Sequence, residues 1–328
     1  MKLRDTFKSF EKLNVLIIGD VMIDAYMWGN VTRISPEAPV PIVAVTKREN
    51  RLGGAANVAL NIQAMGANPI LCSVIGEDEK SNLFIQLMKE QKLSPSGIIR
   101  SKKRVTTVKT RILGSNHQMM RVDEEMEDPL SSKETKSLAE LVKSLAKKHK
   151  ADVIIFEDYD KGCITPELIS DIVTFSNKQN IPTVVDPKKK NFMSYTGVTL
   201  FKPNLKELKE GLKIDFDHHA TKELSAAVEK FIKKQSIDTA LITLSERGIY
   251  VHNKKVKSLI PAHVRDITDV SGAGDTVVSV AALCLAAGLR PEQTAVLANL
   301  AGGLVCEKVG VVPVNKDQLL SEALKLKF

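Results

Sequence analysis

Asp269-Val270-Ser271-Gly272-Ala273-Gly274-Asp275 stands immediately before a long apolar run, Thr276 to Leu289. Glycines at the mouth of a helix let backbone N–H groups approach an anion, and the helix dipole favours negative charge there. An aspartate beside that nest can take a proton from a hydroxyl while the nest holds phosphoryl oxygens, which is the geometry phosphoryl transfer needs. Asp275 is therefore the candidate base, with Gly272, Ala273 and Gly274 as the anion nest. The competing reading is a helix merely capped by Asp, Ser and Gly. A dinucleotide fingerprint fails because position 277 is Val and no further strand–helix–strand unit follows. No Walker-type phosphate loop occurs.

Working outward from this stretch, strands and helices alternate. Val15–Gly19, Pro69–Ile75, Val153–Phe156, Thr183–Val185, Leu200–Lys202 and Ala240–Leu244 read as short buried strands. Between and after them lie helical patterns over Gly54–Met65, Ser81–Lys92, Pro166–Lys178, from Leu205, over Lys222–Lys234, and over Ala273–Ala287 and Pro291–Lys308. This alternation predicts an α/β fold with a mostly parallel sheet covered on both faces. Val40–Val45, Val105–Ile112 and Gln118–Val122 are strand-like without helices between them. They suggest a small antiparallel lid, formed from about 25–48 and 104–124, on a single domain spanning 1–328.

Three further constellations fall at predicted strand ends, where ligands of such sheets bind. Gly19-Asp20-Val21-Met22-Ile23-Asp24 places Asp24 to accept hydrogen bonds from sugar hydroxyls, unless it is only a surface loop acid. Gly53-Gly54-Ala55-Ala56-Asn57 opens a helix: Gly53 and Gly54 permit close backbone approach, and Asn57 offers both donor and acceptor. Lys202-Pro203-Asn204-Leu205-Lys206-Glu207 follows a strand. Asn204 and Glu207 share a helix face and could hold hydrated Mg2+, or could simply cap the helix.

Composition narrows the class. Hydrophobic residues make up 43% and charged residues 26%, which supports a sizeable core. The formal net charge of +8 suggests an anionic partner. The basic runs are short and aromatics reach only 5%, which argues against nucleic acid. The longest apolar run has about 14 residues, short of the roughly 20 that span a bilayer. Cys72, Cys163, Cys284 and Cys306 stand apart with no C-x-x-C pair, as expected of a reduced, cytoplasmic compartment. No signal core precedes Asn14.

Taken together, Gly19 through Asp24, Gly53 through Asn57, Asn204 through Glu207 and Asp269 through Asp275 resemble the PfkB carbohydrate kinases, over about Val15 to Val314. The resemblance implies the ribokinase-like fold, ATP and Mg2+ as cofactors, Asp275 as base and Gly272–Gly274 as anion hole. It implies that Asn204, Leu205, Lys206 and Glu207 serve the metal–nucleotide complex, with Ser245 and Gly248 lining the nucleotide site. It further implies a monovalent cation, K+ in many relatives, near Asp269 and Ser271. Arg33-Ile34-Ser35-Pro36-Glu37-Ala38-Pro39-Val40-Pro41, Gln118 through Asp123, Asp158-Tyr159-Asp160-Lys161-Gly162 and Asp186-Pro187-Lys188 are similar to the group within that family that phosphorylates heptose 7-phosphate. Ser271 and Glu157 depart from it, standing where relatives carry Thr and Ser.

The resulting expectation is transfer of the ATP γ-phosphoryl group to the anomeric hydroxyl of D-glycero-β-D-manno-heptose 7-phosphate, feeding ADP-heptose synthesis for lipopolysaccharide core. Asp24, Gly53, Gly54 and Asn57 would hold the sugar. Arg111, Arg121, Lys161 and Lys188 are candidates for its phosphate, with Arg33 a weaker one. Rival expectations are a kinase for another sugar and a non-catalytic sugar-phosphate sensor. The nucleotidyltransferase domain fused to many relatives is expected on another protein. Exposed lid edges suggest a homodimer.

Overall fold

The computed structural model describes residues 3–326 except 115, 116, 218 and 264. Positions 115 and 116, within the 104–124 stretch of the expected lid, thus lie outside the described residues. The chain forms α1 (Leu3–Ser9), β1 (Asn14–Gly19), β2 (Val21–Ile34), β3 (Pro41–Gly54), α2 (Ala55–Ala64), β4 (Asn68–Gly76), α3 (Glu79–Glu90), β5 (Ile98–Ser101), β6 (Val108–Gly114) and β7 (His117–Glu124). There follow α4 (Ser132–His149), β8 (Val153–Glu157), α5 (Pro166–Gln179), β9 (Thr183–Asp186), β10 (Leu200–Phe201), α6 (Leu205–Leu212), α7 (Thr221–Gln235), β11 (Thr239–Thr243), β12 (Ile249–Asn253), β13 (Lys257–Ile260), α8 (Ala273–Ala286), α9 (Pro291–Cys306) and α10 (Lys316–Ala323).

The main sheet has nine strands in the order β13-β12-β11-β10-β9-β8-β1-β4-β5. It is parallel from β5 to β11, and β12 and β13 add an antiparallel edge. Its central strand β1 is apolar on both faces because both faces are covered. Val15 and Ile17 enter the core shared with α2, α8 and α9, whereas Leu16 and Ile18 enter the one shared with α4, α5 and α7. Helices α8 and α9 have apolar residues all round and are correspondingly buried through most of their length. The sequence left α4 unread, although Ser131 and Glu134 form a reciprocal capping box at its start.

The second sheet has four strands in the order β3-β2-β6-β7. It consists of two antiparallel hairpins, β2–β3 and β6–β7, joined through a parallel contact between β2 and β6. It is longer than the expected lid. Asp24 lies inside strand β2, not in a loop, and the Gly53-Gly54 pair ends β3 before opening α2. Val21 pairs with Gly54, so the first hairpin leaves and rejoins the main sheet at one place. Gly54 adopts φ +60°, and a Cβ there would lie 2.4 Å from the Asp20 carbonyl oxygen; glycine supplies this sharp exit into α2 at no steric cost.

Candidate functional site

Strands β1, β8, β9 and β10 end where α2 and α8 begin. At this point the chain opens a cleft of about 810 Å³ lined by Asn204, Glu207, Ser245, Gly248 and the Gly272–Asp275 turn. Gly272 caps α8 with φ +77°, and a Cβ there would lie 3.1 Å from Asn57 Nδ2. The first-turn N–H groups of a helix have no intrahelical partner, so a helix beginning in the cleft wall is suited to an anion.

Asp275 is buried on that first turn. Asn57 Nδ2 donates to its Oδ2 at 2.6 Å and the Tyr159 hydroxyl to its Oδ1 at 2.7 Å. Burial pushes its carboxyl up to about 6, against the pull of those two donors and of Lys202, and with a further push from Asp186. Asn61 braces the base of the site. It donates to the Asn57 carbonyl, and its Oδ1 accepts from Thr276 Oγ1 and from Val314 N, tying α2, α8 and the C-terminal loop together.

Glu157, Asp186 and Asp275 bring one carboxylate oxygen each within 4.8 Å of one another. Burial, then the charges of Asp186 and Asp275, push the Glu157 carboxyl well above the usual range. The counter-charge is Lys202, whose Nζ lies 2.8 Å from Asp186 Oδ2, with both side chains buried. Glu157 Oε2 and Asp186 Oδ1 are buried with no hydrogen-bond partner among the described residues.

Tyr159 is held in place from below. Asp20 is buried and accepts backbone N–H groups of Tyr159 (2.9 Å), Lys161 (3.1 Å) and Cys163 (2.9 Å). Asp158, pushed up to about 7 mainly by burial, accepts from Asn191 and Tyr195. Gly162 takes φ +86°, where a Cβ would meet the Asp128 carbonyl oxygen at 2.0 Å. The Asp158–Gly162 motif is therefore a scaffold that presents the Tyr159 hydroxyl to Asp275.

The lid supplies a second cluster. The register of β2 against β3 and β6 puts Asp24 opposite Arg51 and Lys109, and Tyr26 opposite Arg111; β6 against β7 puts Arg111 opposite Arg121. These residues share one face of the sheet, because paired residues project on the same side. Arg111 ion-pairs with buried Asp24. Arg51 and Arg111 both lie over the Tyr26 ring, 5.1 and 5.4 Å from its centroid. Arg51 also donates to the Val311 carbonyl at 3.3 Å, joining the lid to the loop beside α8. Gly53 gives Asp24 its room, since a Cβ there would sit 2.2 Å from Asp24 Oδ2.

Most of the residues expected at a site thus converge, but not all. Leu205 packs into the core and Lys206 is exposed beside Glu210, so neither lines the cleft. Lys188, expected at the sugar's phosphate, lies in the cleft and ion-pairs with Glu207. Glu207 Oε2 accepts Asn204 N at 2.8 Å and Asn204 Oδ1 accepts Glu207 N at 2.8 Å, so the pair forms a helix capping box. Lys161 pairs with Glu125 and Glu127, and Arg121 with Asp123. Asp269 accepts from Ser271 N and Gly310 N, tying two loops together; these bonds outweigh its burial and hold its carboxyl below the usual range. Tyr159, Asp186 and Lys202 stand in motifs that mark no role for them by spacing alone, and Arg51 lies outside those motifs. All four cysteines are buried and free. No helix among the described residues is long and apolar enough to cross a membrane.

The architecture resembles that of phosphofructokinase-2 from Escherichia coli in complex with potassium, with a TM-score of 0.78 at 16% identity, covering 94% of this chain and 97% of that one. A ribokinase from Thermotoga maritima superimposes with a TM-score of 0.67 at 18% identity, covering 96% and 99%. Fold and sequence together define an ATP-dependent sugar kinase of the ribokinase-like class. Residues 12–318 match the pfkB family carbohydrate kinases, and the chain belongs to that family. The bifunctional protein HldE of Syntrophotalea carbinolica is 38% identical over 308 residues, and that of Helicobacter pylori strain J99 is 38% identical over 305 residues. These alignments cover 94% and 93% of this chain but only 62% and 65% of the relatives.

Proposed function

We propose that the chain transfers the ATP γ-phosphoryl group to the anomeric hydroxyl of D-glycero-β-D-manno-heptose 7-phosphate, as a cytoplasmic step of ADP-heptose synthesis for lipopolysaccharide core. The observation that carries this reading is the shared face of the lid: Asp24 for sugar hydroxyls beside Arg51, Arg111 and Arg121 for a phosphate. An arginine fork pairs bidentately with phosphate oxygens. The 38% identity with the HldE proteins supports it.

In this reading Asp24 and Asn57 orient the sugar, and Asp275 takes the proton of the attacking hydroxyl. The N–H groups of the Gly272–Asp275 turn stabilise the transferring phosphoryl group. Asn204, Ser245, Gly248 and Lys188 flank the nucleotide. The unpartnered oxygens of Glu157 and Asp186 fit a magnesium ion, because a buried carboxylate without donors is costly unless it takes up a proton or meets a cation. Those two residues would hold it, with Glu207 reached through water, and when bound it neutralises charge on the nucleotide's phosphates. Asp269 uses two of its roughly four acceptor positions, which leaves capacity for a monovalent cation beside Ser271. The face of the lid opposite the arginines exposes Met120 and Val122, a surface suited to a second copy of the chain.

Arg121→Ala should raise KM for heptose 7-phosphate about tenfold to over a hundredfold, the equivalent of about 1.5–3 kcal/mol for a charge-assisted contact, with KM for ATP little changed. Arg121 is half exposed, so the substitution leaves the fold intact. The parent should strongly prefer heptose 7-phosphate to unphosphorylated heptose. Equal kcat/KM for the two sugars in a coupled ADP-release assay would return the chain to the broader sugar-kinase class.

A further inference from the structure

We propose that the Tyr159 hydroxyl is a placeholder for the sugar's hydroxyl, keeping water off Asp275 until the sugar arrives. The inference rests on Asp275 as the base and adds a positioning residue to that reading. Without sugar, both oxygens of Asp275 are engaged, Oδ2 by Asn57 and Oδ1 by Tyr159. The Asn57 contact comes from a side chain fixed on α2, whose Asn61 is in turn tied to Thr276. The Tyr159 contact comes from the cleft side, since Tyr159 lines the cleft together with Asp275. An O–H donor 2.7 Å from a carboxylate oxygen is what an alcohol presents to its general base.

The alternative occupant of that position is water. A water donating to Asp275 there faces the γ-phosphate of bound ATP. Its oxygen would bond to the γ-phosphorus as the bond to the bridging β–γ oxygen breaks. Its proton would pass to Asp275, and ADP and inorganic phosphate would leave. The same base and anion nest that serve the sugar would then waste ATP. A phenol hydroxyl held on a rigid loop fills the position without reacting. The loop is braced by the three N–H groups that Asp20 accepts, so the ring stands ready at a fixed height. The sugar's hydroxyl displaces only this one hydrogen bond and leaves the Asn57 contact in place.

Tyr159→Phe removes the placeholder while keeping the ring, which also lies 5.4 Å from Lys188 Nζ. The expected result is a rise of about tenfold or more in the ratio of sugar-free ATP hydrolysis to sugar phosphorylation, within the scale of general-base catalysis. In Tyr159→Phe/Asp275→Asn the excess hydrolysis should vanish. An unchanged ratio, or both rates falling together, reduces Tyr159 to a structural support and overturns the proposal. Excess hydrolysis that survives in the double variant also overturns it. Asp275→Asn alone separates the two readings: if it phosphorylates sugar at the parental rate, the base assignment itself fails. If it does not, while Tyr159→Phe keeps the parental ratio, only the placeholder fails.

Discussion

Asp275→Asn should lower kcat by about 10²–10⁴ while the chain still folds and binds ATP, the usual scale for loss of a general base. The amide matches the carboxylate in shape, so α8 and its anion nest stay in place. What changes is the capacity to take a proton. Asn57 Nδ2 and the Tyr159 hydroxyl both donate to this group; the amide oxygen can still accept from Asn57 and the amide NH2 can donate to the Tyr159 oxygen, so both contacts can be kept. The pH dependence makes the assignment specific. Burial pushes the Asp275 carboxyl up to about 6. A base works only when unprotonated, so kcat/KM is fully expressed above about pH 6 and falls about tenfold per unit below it. The residual activity of Asp275→Asn should lack that acidic limb. Steady-state kinetics between pH 5 and 8 check both points, and a variant with parental turnover would remove Asp275 from the mechanism.

Lys202→Met should destabilise the fold by about 3–5 kcal/mol, the scale for removing one partner of a buried ion pair. That is a large share of the roughly 5–15 kcal/mol that stabilises a typical domain. Methionine fits the space of the lysine stem, so packing is not the reason. The reason is charge. Lys202 is buried 2.8 Å from Asp186, and Asp186 already lies beside Glu157 and Asp275. Without the ammonium, three buried carboxylates lie close together without the cation that pairs with Asp186. Adding Asp186→Leu should recover part of the loss, because it removes the stranded charge. Urea denaturation of parent, single and double variants measures this, and superimposed curves for parent and Lys202→Met would refute it.

Much of this was legible before any coordinates, for physical reasons that differ between elements. Strand β1 and helices α8 and α9 announce themselves through continuous apolar runs, because both faces of the central sheet are covered. The glycines at 53, 54 and 272 stand out because the turns they occupy admit little else. The extent of the lid was harder to see. β2 runs for 14 residues, unusually long for a strand, its only charged residues are Asp24 and Arg33, and Asp24 within it reads as a loop residue. The pairing of Lys188 with Glu207 could not be read in advance, because an ion pair between residues on different elements leaves no mark on spacing. Tyr159 had a signal, the dense Asp158–Gly162 motif, but its target Asp275 lies far along the chain, and only folding brings them together.

The pairing of Val21 with Gly54 bears on how such an enzyme can change. The long β2–β3 hairpin departs from the central sheet and returns to it through neighbouring residues, so in sequence it is a single insertion, although β2 also pairs with β6. Of the charged face, Asp24 and Arg51 lie on that segment, Arg111 and Arg121 lie on the β6–β7 hairpin, and Asp275, the Gly272–Gly274 turn and Lys202 belong to neither. That face can therefore be remodelled through two separate insertions, 21–54 and 108–124, both far in sequence from the turn that opens α8.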